Sequence, residues 1–475
     1  MKYFFLLPLL TFSLLSQPND ARTRMRAVEN GLTEVREVVF ADSTLPTYTM
    51  RERMSVHRVP SVAVAVIHHG KIDWVNAYGT ADTASLFQAA SISKTVNAIG
   101  VLRLAQKGKL NLDNDIRPLL KQWRFPDNDL SRNRTVTIAQ LLSHTAGLST
   151  SGFRGYQRTQ PLPSLVQILN GEPPANSEAV RPLAAPGTQY AYSGGGTTVI
   201  RQILAETVSP KYDSLMTATV LRPLGMQRST FAQPLPPSVR NVMKGFDAKG
   251  TEIPGGWNVY PEQAPDGLWT TAGDLARMII GLQRSVRGER GTVLDRVSAM
   301  RMTTVVPPSS ECGLGVFVAQ KGADRYFFHS GANAGYRSLY YGSLTNGNGV
   351  VVLTNSDNGQ SLIDEIVARV AVVYGWKDFV SPIVKRVAAL PVNTLRSYTG
   401  SYVSTEPPVT IVIQYEQNRL MLTARRKEQL FPLGAGRFFL LSAPNDTCII
   451  RSTGGKEMFE VHRDGAVMIT AEKQR

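Results

Sequence analysis

Ser91 and Lys94 stand three residues apart in Ser91-Ile92-Ser93-Lys94, and Val96, Ile99, Leu102 and Ala105 continue at helical spacing behind them. On a helix, positions i and i+3 share a face, so this pattern sets a hydroxyl beside an amine. A serine hydroxyl is a weak nucleophile until a neighbouring base takes its proton. A lysine can be that base only where burial or a second cation lowers its pKa. A serine in the first turn would also sit at the positive end of the helix dipole. Taken alone the spacing is common, and it equally fits a helix cap followed by a solvated lysine. The elements that must position the pair are legible on both sides. Val62–Ile67 and Ile72–Tyr78 are β-rich runs broken by His69-Gly70, which predicts a hairpin, and Gly108 predicts the end of the helix.

Further segments follow in order. Pro186-Gly187-Thr188-Gln189-Tyr190-Ala191-Tyr192-Ser193-Gly194-Gly195-Gly196 is one, and His329-Ser330-Gly331-Ala332-Asn333-Ala334-Gly335-Tyr336 is another. With Ser91-x-x-Lys94 these resemble the penicillin-recognising serine hydrolases, whose signatures are S-x-x-K, Y-x-N and K-T-G or H-x-G. That family includes class C β-lactamases, D-Ala-D-Ala carboxypeptidases, D-aminopeptidases and esterases of the same fold. Gln140–Leu148, Leu221–Met226 and Gly267–Leu275 resemble its LLxHTSGL, PLGM and GLxSTAxDLA segments. The resemblance covers about residues 25–376. It implies an α/β, serine β-lactamase-like fold: an antiparallel sheet flanked by helices, with an all-α subregion between the first and third motifs.

The resemblance also implies roles. Ser91 is the nucleophile that becomes acylated, Lys94 takes or relays its proton, and Tyr192 is partner base or leaving-group acid. A phenol serves as a base only where cations favour its phenolate. His329 stands where K-T-G members carry lysine, and would orient substrate or tune Tyr192. Backbone N–H groups of Ser91 and Ala332 would form the oxyanion hole, while Gly331, Asn333 and Gly194 would line the substrate site. Gly194 is a departure, because the second motif ordinarily has Asn there. That puts β-lactam hydrolysis and strict peptide recognition in doubt, and motivates a second reading as a penicillin-binding or sensor-like protein with little turnover. Tyr336 is a further candidate for substrate contact. Trp269 is equally a pocket or core residue, and His144 is expected to make buried structural hydrogen bonds.

The chain has 475 residues, with 43% hydrophobic and 19% charged, which excludes wholesale disorder and a single small domain. Its net charge of +15 is spread along the sequence, which points away from a nucleic-acid stripe. The only two cysteines, Cys312 and Cys448, are far apart and are expected to be free buried thiols; with no Cys or His near either, no metal centre and no cofactor are expected. Met1-Lys2, the apolar run Tyr3–Leu15 and Ser16-Gln17-Pro18 read as a signal peptide over residues 1–21, hence a periplasmic or secreted protein. That run is shorter than the ~20 residues a membrane span needs, and no other segment suggests one. Residues 22–58 read as helical, within a hydrolase domain over 22–380. Short strands recur after residue 390, and Arg463-Asp464-Gly465 marks a hairpin, so residues 391–475 should form a small all-β, barrel-like domain similar to the lipocalin-like tails of some family members. The expected partner is a small ester, amide or peptide substrate; the tail is also a candidate for building a homo-oligomer.

Overall fold

The structure, a computed structural model, describes residues 20–474. The expected leader lies outside these residues except for its last two, where Asp20 caps the helix Ala21–Glu29 by accepting the Thr23 N–H. The chain forms two compact units. One runs to Thr33 and then from Thr47 to Val380; the other combines Glu34–Pro46 with the chain from Ser381 onward. Residues 22–58 are therefore not one helical stretch. They form the helix Ala21–Glu29, the strand Val38–Phe40 and the helix Met50–Val56. Val38 and Val39 fit a helical stripe by spacing, but they pair in parallel with Ile383 and Val384.

The first unit is built on a six-stranded antiparallel sheet. Its strand order is Lys71–Gly79, Ser61–His68, Gly349–Thr354, Tyr336–Ser343, Asp324–Asn333, Phe317–Lys321. Two of the four interior strands, Ser61–His68 and Gly349–Thr354, are apolar on both faces, because successive side chains alternate sides and both sides are covered. Ala63, Ala65, Ile67, Val351 and Leu353 join the core beneath the helix Ala272–Arg287. Val62, Val64, Val66, Val350 and Val352 join the opposite core, beneath the helix Gly359–Val373. Arg53 and Glu365 form a buried ion pair on that side, and His57 Nε2–H donates to the same carboxylate.

The stretch between the first and third motifs is not all-α: the helices Ile138–Leu142, Leu165–Asn170, Gly194–Thr207 and Tyr212–Met216 are separated by long irregular segments. It also carries two short strand pairs, Phe87–Gln88 with Trp269–Thr270 and Tyr156–Gln157 with Asn258–Val259. The second unit contains a closed eight-stranded barrel from Gly400 to Lys473. Its closing pairs are Tyr402 with Lys473 and Val403 with Glu472. The barrel holds a cavity of 680 Å³ whose wall includes Ile411, Leu422, Phe459, Val461 and Ile469. Both cysteines are free and buried, and burial pushes each thiol up to about 12. No helix among the described residues is long and apolar enough to cross a membrane.

Candidate functional site

The helix Ile92–Gln106 runs through the interior of the first unit, and Ser91 stands at its N-cap. The residue before it, Ala90, has φ +48°, a left-handed conformation that is strained for a residue with a Cβ. This turn is pinned on several sides. The Ser93 hydroxyl donates to the Ala90 carbonyl at 2.5 Å and accepts the Leu268 N–H at 3.0 Å. The Ala89 N–H donates to the Leu268 carbonyl at 2.9 Å. The nucleophile candidate is thus fixed by its own helix and by the chain at Leu268.

Lys94 is buried beside it, and its ammonium has three acceptors: Ser91 Oγ at 2.8 Å, the Pro265 carbonyl at 3.1 Å and Asp266 Oδ1 at 3.2 Å. Burial by itself would depress the lysine pKa. The Asp266 carboxylate, with the Tyr192 phenol, outweighs that and holds it above the ordinary value. These neighbours favour the ammonium form of Lys94 beside Ser91 over the free amine.

Asp266 is the residue that sequence reading missed. Ser91 Oγ–H donates to its Oδ1 at 2.9 Å, and its Oδ2 is buried with no hydrogen-bond partner. The strand pair explains how a residue so distant in sequence arrives here. Gln88 pairs with Trp269 in an antiparallel register. Ser91 lies three residues past Gln88 and Asp266 three before Trp269, so the two come opposite each other. The available signal was position: Asp266 immediately precedes the recognisable Gly267–Leu275 segment.

Tyr192 packs over this pair, with Lys94 Nζ 5.1 Å from its ring centroid. His144 places it. The His144 carbonyl accepts the Ala191 N–H at 2.8 Å, and His144 Nδ1 accepts the Ser193 N–H at 3.1 Å, so both chain neighbours of Tyr192 are held by one residue. The rings of His144 and Tyr192 are 4.4 Å apart. The structural role expected of His144 is what this geometry shows. Tyr190 is half-exposed, with its ring 6.3 Å from His144. Gly194 opens the helix Gly194–Thr207, and its N–H donates to the Ser151 carbonyl. A Cβ there would lie 3.1 Å from that oxygen and 3.2 Å from the Phe153 ring, so this glycine is packed against the loop Ser151–Phe153.

The third motif lies on the strand Asp324–Asn333, where His329, Gly331 and Asn333 share one buried face. A Cβ on Gly331 would be 2.2 Å from the Ala89 carbonyl oxygen and 3.0 Å from the Ser91 nitrogen. Only glycine lets this strand come so close to the nucleophile turn. Asn333 donates its amide to Gln88 Oε1 at 2.7 Å and to the Asp266 carbonyl at 3.2 Å, tying the strand to both sides of the site. Ala332, next to Gly331, is exposed. His329 is buried; its Nδ1 is 2.6 Å from the Ser330 carbonyl, which fixes the proton on Nδ1 and leaves Nε2 an acceptor without a partner. Burial, then the Lys94 charge, lowers its pKa to about 3. His329 therefore stands at the lysine position of K-T-G as a neutral group. Tyr336 is not a substrate contact: it is fully buried, and its hydroxyl donates to the Met243 carbonyl at 2.7 Å. Trp269 is core, packed edge-on to Trp257 and Tyr336.

The two buried histidines have a consequence for stability. Burial holds His144 well below its ordinary 6.5, and His329 falls to about 3. Below pH 6.5 the unfolded chain takes up protons that the folded chain refuses. The stability is therefore complete above that pH and lost as pH falls, by up to ~1.4 kcal/mol per unit for each histidine. Urea unfolding between pH 7.5 and 5 is expected to show this slope, and His329→Gln is expected to lessen it. A wild-type slope unchanged by the substitution would contradict the assignment.

Comparison with known proteins agrees with this geometry. The Beta-lactamase family model matches residues 48–373. "Protein flp" of Staphylococcus aureus (strain MRSA252) is 22% identical over 314 residues, 62% of this chain and 60% of that protein. "Penicillin-binding protein 4" of Amycolatopsis lactamdurans is 27% identical over 251 residues, 51% of this chain and 61% of that protein. The chain thus spans about three fifths of the length of these curated relatives. Among solved structures, the octameric penicillin-binding protein homologue from Pyrococcus abyssi has a TM-score of 0.60 at 19% identity, covering 89% of this chain and 98% of that one. The D-amino acid amidase from Ochrobactrum anthropi SV3 has a TM-score of 0.57 at 18% identity, covering 75% and 98%. At such identities these neighbours speak for the fold, and the family match over most of the chain says the rest: this protein belongs to the Beta-lactamase family, the serine hydrolases and penicillin-binding proteins that work by acyl transfer.

Proposed function

We propose that the protein is an exported hydrolase in which the carbonyl of an ester or amide acylates Ser91 and water then releases it. D-amino-acid amides or peptides, including peptidoglycan-derived ones, are the substrate class. The observation that carries this is the buried Lys94 ammonium 2.8 Å from Ser91 Oγ. Burying that charge is costly, and next to a serine at a helix N-terminus it holds the oxygen ready for attack. In this reading the backbone N–H groups of Ser91 and Ala332 hold the developing oxyanion, for which one such donor is worth ~2.7–4 kcal/mol. The Tyr192 phenol, beside Lys94, is placed to protonate the leaving group. Where K-T-G enzymes present a lysine, His329 presents a neutral acceptor. That favours amides and esters over substrates recognised through a free carboxylate. The amidase neighbour acts on D-amino acid amides by its name, in keeping with this choice. Export rests on the apolar leader, and N-terminal sequencing of the secreted protein tests it. A homo-oligomer, as in the octameric neighbour, is tested by mass in solution.

The test of the chemistry is intact mass after incubation with a fluorophosphonate and, separately, benzylpenicillin, together with turnover of D- and L-alanine amides and a D-Ala-D-Ala peptide. A stoichiometric fluorophosphonate adduct absent in Ser91→Ala, with D-amide turnover above L-amide and D-Ala-D-Ala, is the expected result. An adduct that persists in Ser91→Ala overturns it. The replacement of the second motif's Asn by Gly194 favours one other reading, a penicillin-binding protein with little turnover. Its mark would be a long-lived penicillin adduct with no hydrolysis of any amide.

A further inference from the structure

We infer that Asp266 is the proton acceptor that activates Ser91, and that Lys94 stays an ammonium ion throughout; this rests on the acyl-serine reading above. The Ser91 hydroxyl has one proton and two close partners, and one of them, Lys94, is itself a donor to Ser91 Oγ. The proton therefore points at Asp266 Oδ1, 2.9 Å away. An ammonium has three N–H donors and no lone pair. Those of Lys94 are directed at Ser91 Oγ, the Pro265 carbonyl and Asp266 Oδ1, with the Tyr192 phenol a further partner. Lys94 has nothing with which to accept.

The carboxylate is built in, not incidental. It is buried, and its backbone is held by the Asn333 amide on its carbonyl. The next residue, Gly267, is packed so tightly on Gln263 that a Cβ would fall 2.7 Å from the Gln263 Cα. Its Oδ2 is buried with no hydrogen-bond partner, which leaves its acceptor capacity unfilled. Buried ion pairs are poor stabilisers, so stability alone gives little reason for an Asp–Lys pair against the reactive hydroxyl.

The steps balance. As Ser91 Oγ bonds to the substrate carbonyl carbon, the hydroxyl proton passes to Asp266 Oδ1 and the carbonyl π pair moves to its oxygen. When that pair returns, the bond to the leaving nitrogen or oxygen breaks, and the leaving atom takes the proton from Asp266, directly or through Tyr192. Water then attacks the ester, gives a proton to Asp266, and the proton returns to Ser91 Oγ as the acyl–oxygen bond breaks. Lys94 keeps its charge and stabilises the serine oxygen at each step.

The groups around Asp266 that can shape its pH dependence are Lys94 on the helix, Tyr192 and His329 beyond that lysine, and Tyr260 and Glu262 on its own loop. Burial, with the Asp266 charge adding to it, pushes Glu262 up to about 8, so Glu262→Gln measures what Glu262 contributes to the profile.

The experiment is the rate of fluorophosphonate labelling of the full chain, read by intact mass between pH 4.5 and 8.5. Wild type is expected to show an acidic limb. Asp266→Asn is expected to label ~10²–10⁴-fold more slowly and to lose that limb. Asp266→Glu should recover part of the rate with the limb displaced, and Glu262→Gln should keep an acidic limb. The inference falls if Asp266→Asn labels within about threefold of wild type, or slows equally at every pH with the wild-type limb intact. If Asp266→Asn shows no cooperative melt, wild type and Asp266→Glu decide: a wild-type rate without an acidic limb, or one that Asp266→Glu leaves in place, overturns it. Ser91→Ala separates the two readings, since labelling that survives in Ser91→Ala removes the acyl-serine itself, whereas labelling lost there but unchanged in Asp266→Asn removes only the role of Asp266.

Discussion

Lys94→Met is expected to eliminate measurable turnover and to lower stability by ~3–5 kcal/mol, the usual loss when one partner of a buried ion pair is removed. Methionine fills nearly the same space, so the loss is electrostatic. Asp266 would be left buried, with Ser91 Oγ as its one remaining side-chain donor and Oδ2 unpaired as before. The sharper result is the double variant. Lys94→Met with Asp266→Asn removes both charges, so it should regain most of the lost stability while staying inactive. The cycle of single and double variants in urea reads this directly as a coupling energy. A double variant no more stable than Lys94→Met would mean that the two charges are independent. Partial activity in Lys94→Met would mean that the cation beside Ser91 is dispensable, against the reading of the site.

Gly331→Ala should be nearly as damaging, although alanine is the smallest change available. The added Cβ would lie 2.2 Å from the Ala89 carbonyl oxygen and 2.4 Å from Ser338 Oγ. The serine side chain can rotate; the carbonyl is backbone, in the turn that sets Ala90 at φ +48° and carries Ser91. Either the strand retreats from the turn or the turn deforms, and both separate the N–H of Ala332 from that of Ser91. If the proposed oxyanion role holds, losing the alignment of one donor costs ~10²–10³ in kcat, and the overpacking costs ~1–3 kcal/mol in stability. The measurement is kcat and KM on the preferred substrate together with urea unfolding. A rise in KM alone, with kcat intact, would show that Gly331 shapes substrate binding and not the proposed oxyanion site.

Much of this site was written in local spacing. Ser91 and Lys94 stand three residues apart, but it is the accompanying motifs that single them out, and Gly331 was expected to line the substrate site, whereas the structure shows it as a point of close approach. Asp266 was hidden for a physical reason: an aspartate between proline and glycine looks like any solvated turn, and its burial depends on the pairing of Gln88 with Trp269, far away in the chain. Tyr336 failed in the other direction. Its place after the third motif suggested substrate contact, but the strand turns it inward to the Met243 carbonyl. The hairpin and the barrel strands were visible as short β-rich runs separated by turn residues. Val38–Phe40 was not, since a three-residue strand pairing with Ile383–Lys385 leaves no local mark.

That small strand pair changes how the chain can be divided. Because Glu34–Pro46 belongs with the unit that begins at Ser381, the polypeptide passes between units three times, not once. A cut after Lys385 spares the pair but removes the barrel; a cut at Val380 strands Val38–Phe40 without its neighbour. The barrel unit cannot be expressed whole as one continuous piece. During synthesis its first segment leaves the ribosome near the beginning and must wait, unpaired, while the entire hydrolase unit is made. Nearly the whole catalytic unit is in this way an insertion within its companion, so that companion can finish folding only after the last stretch of chain has emerged.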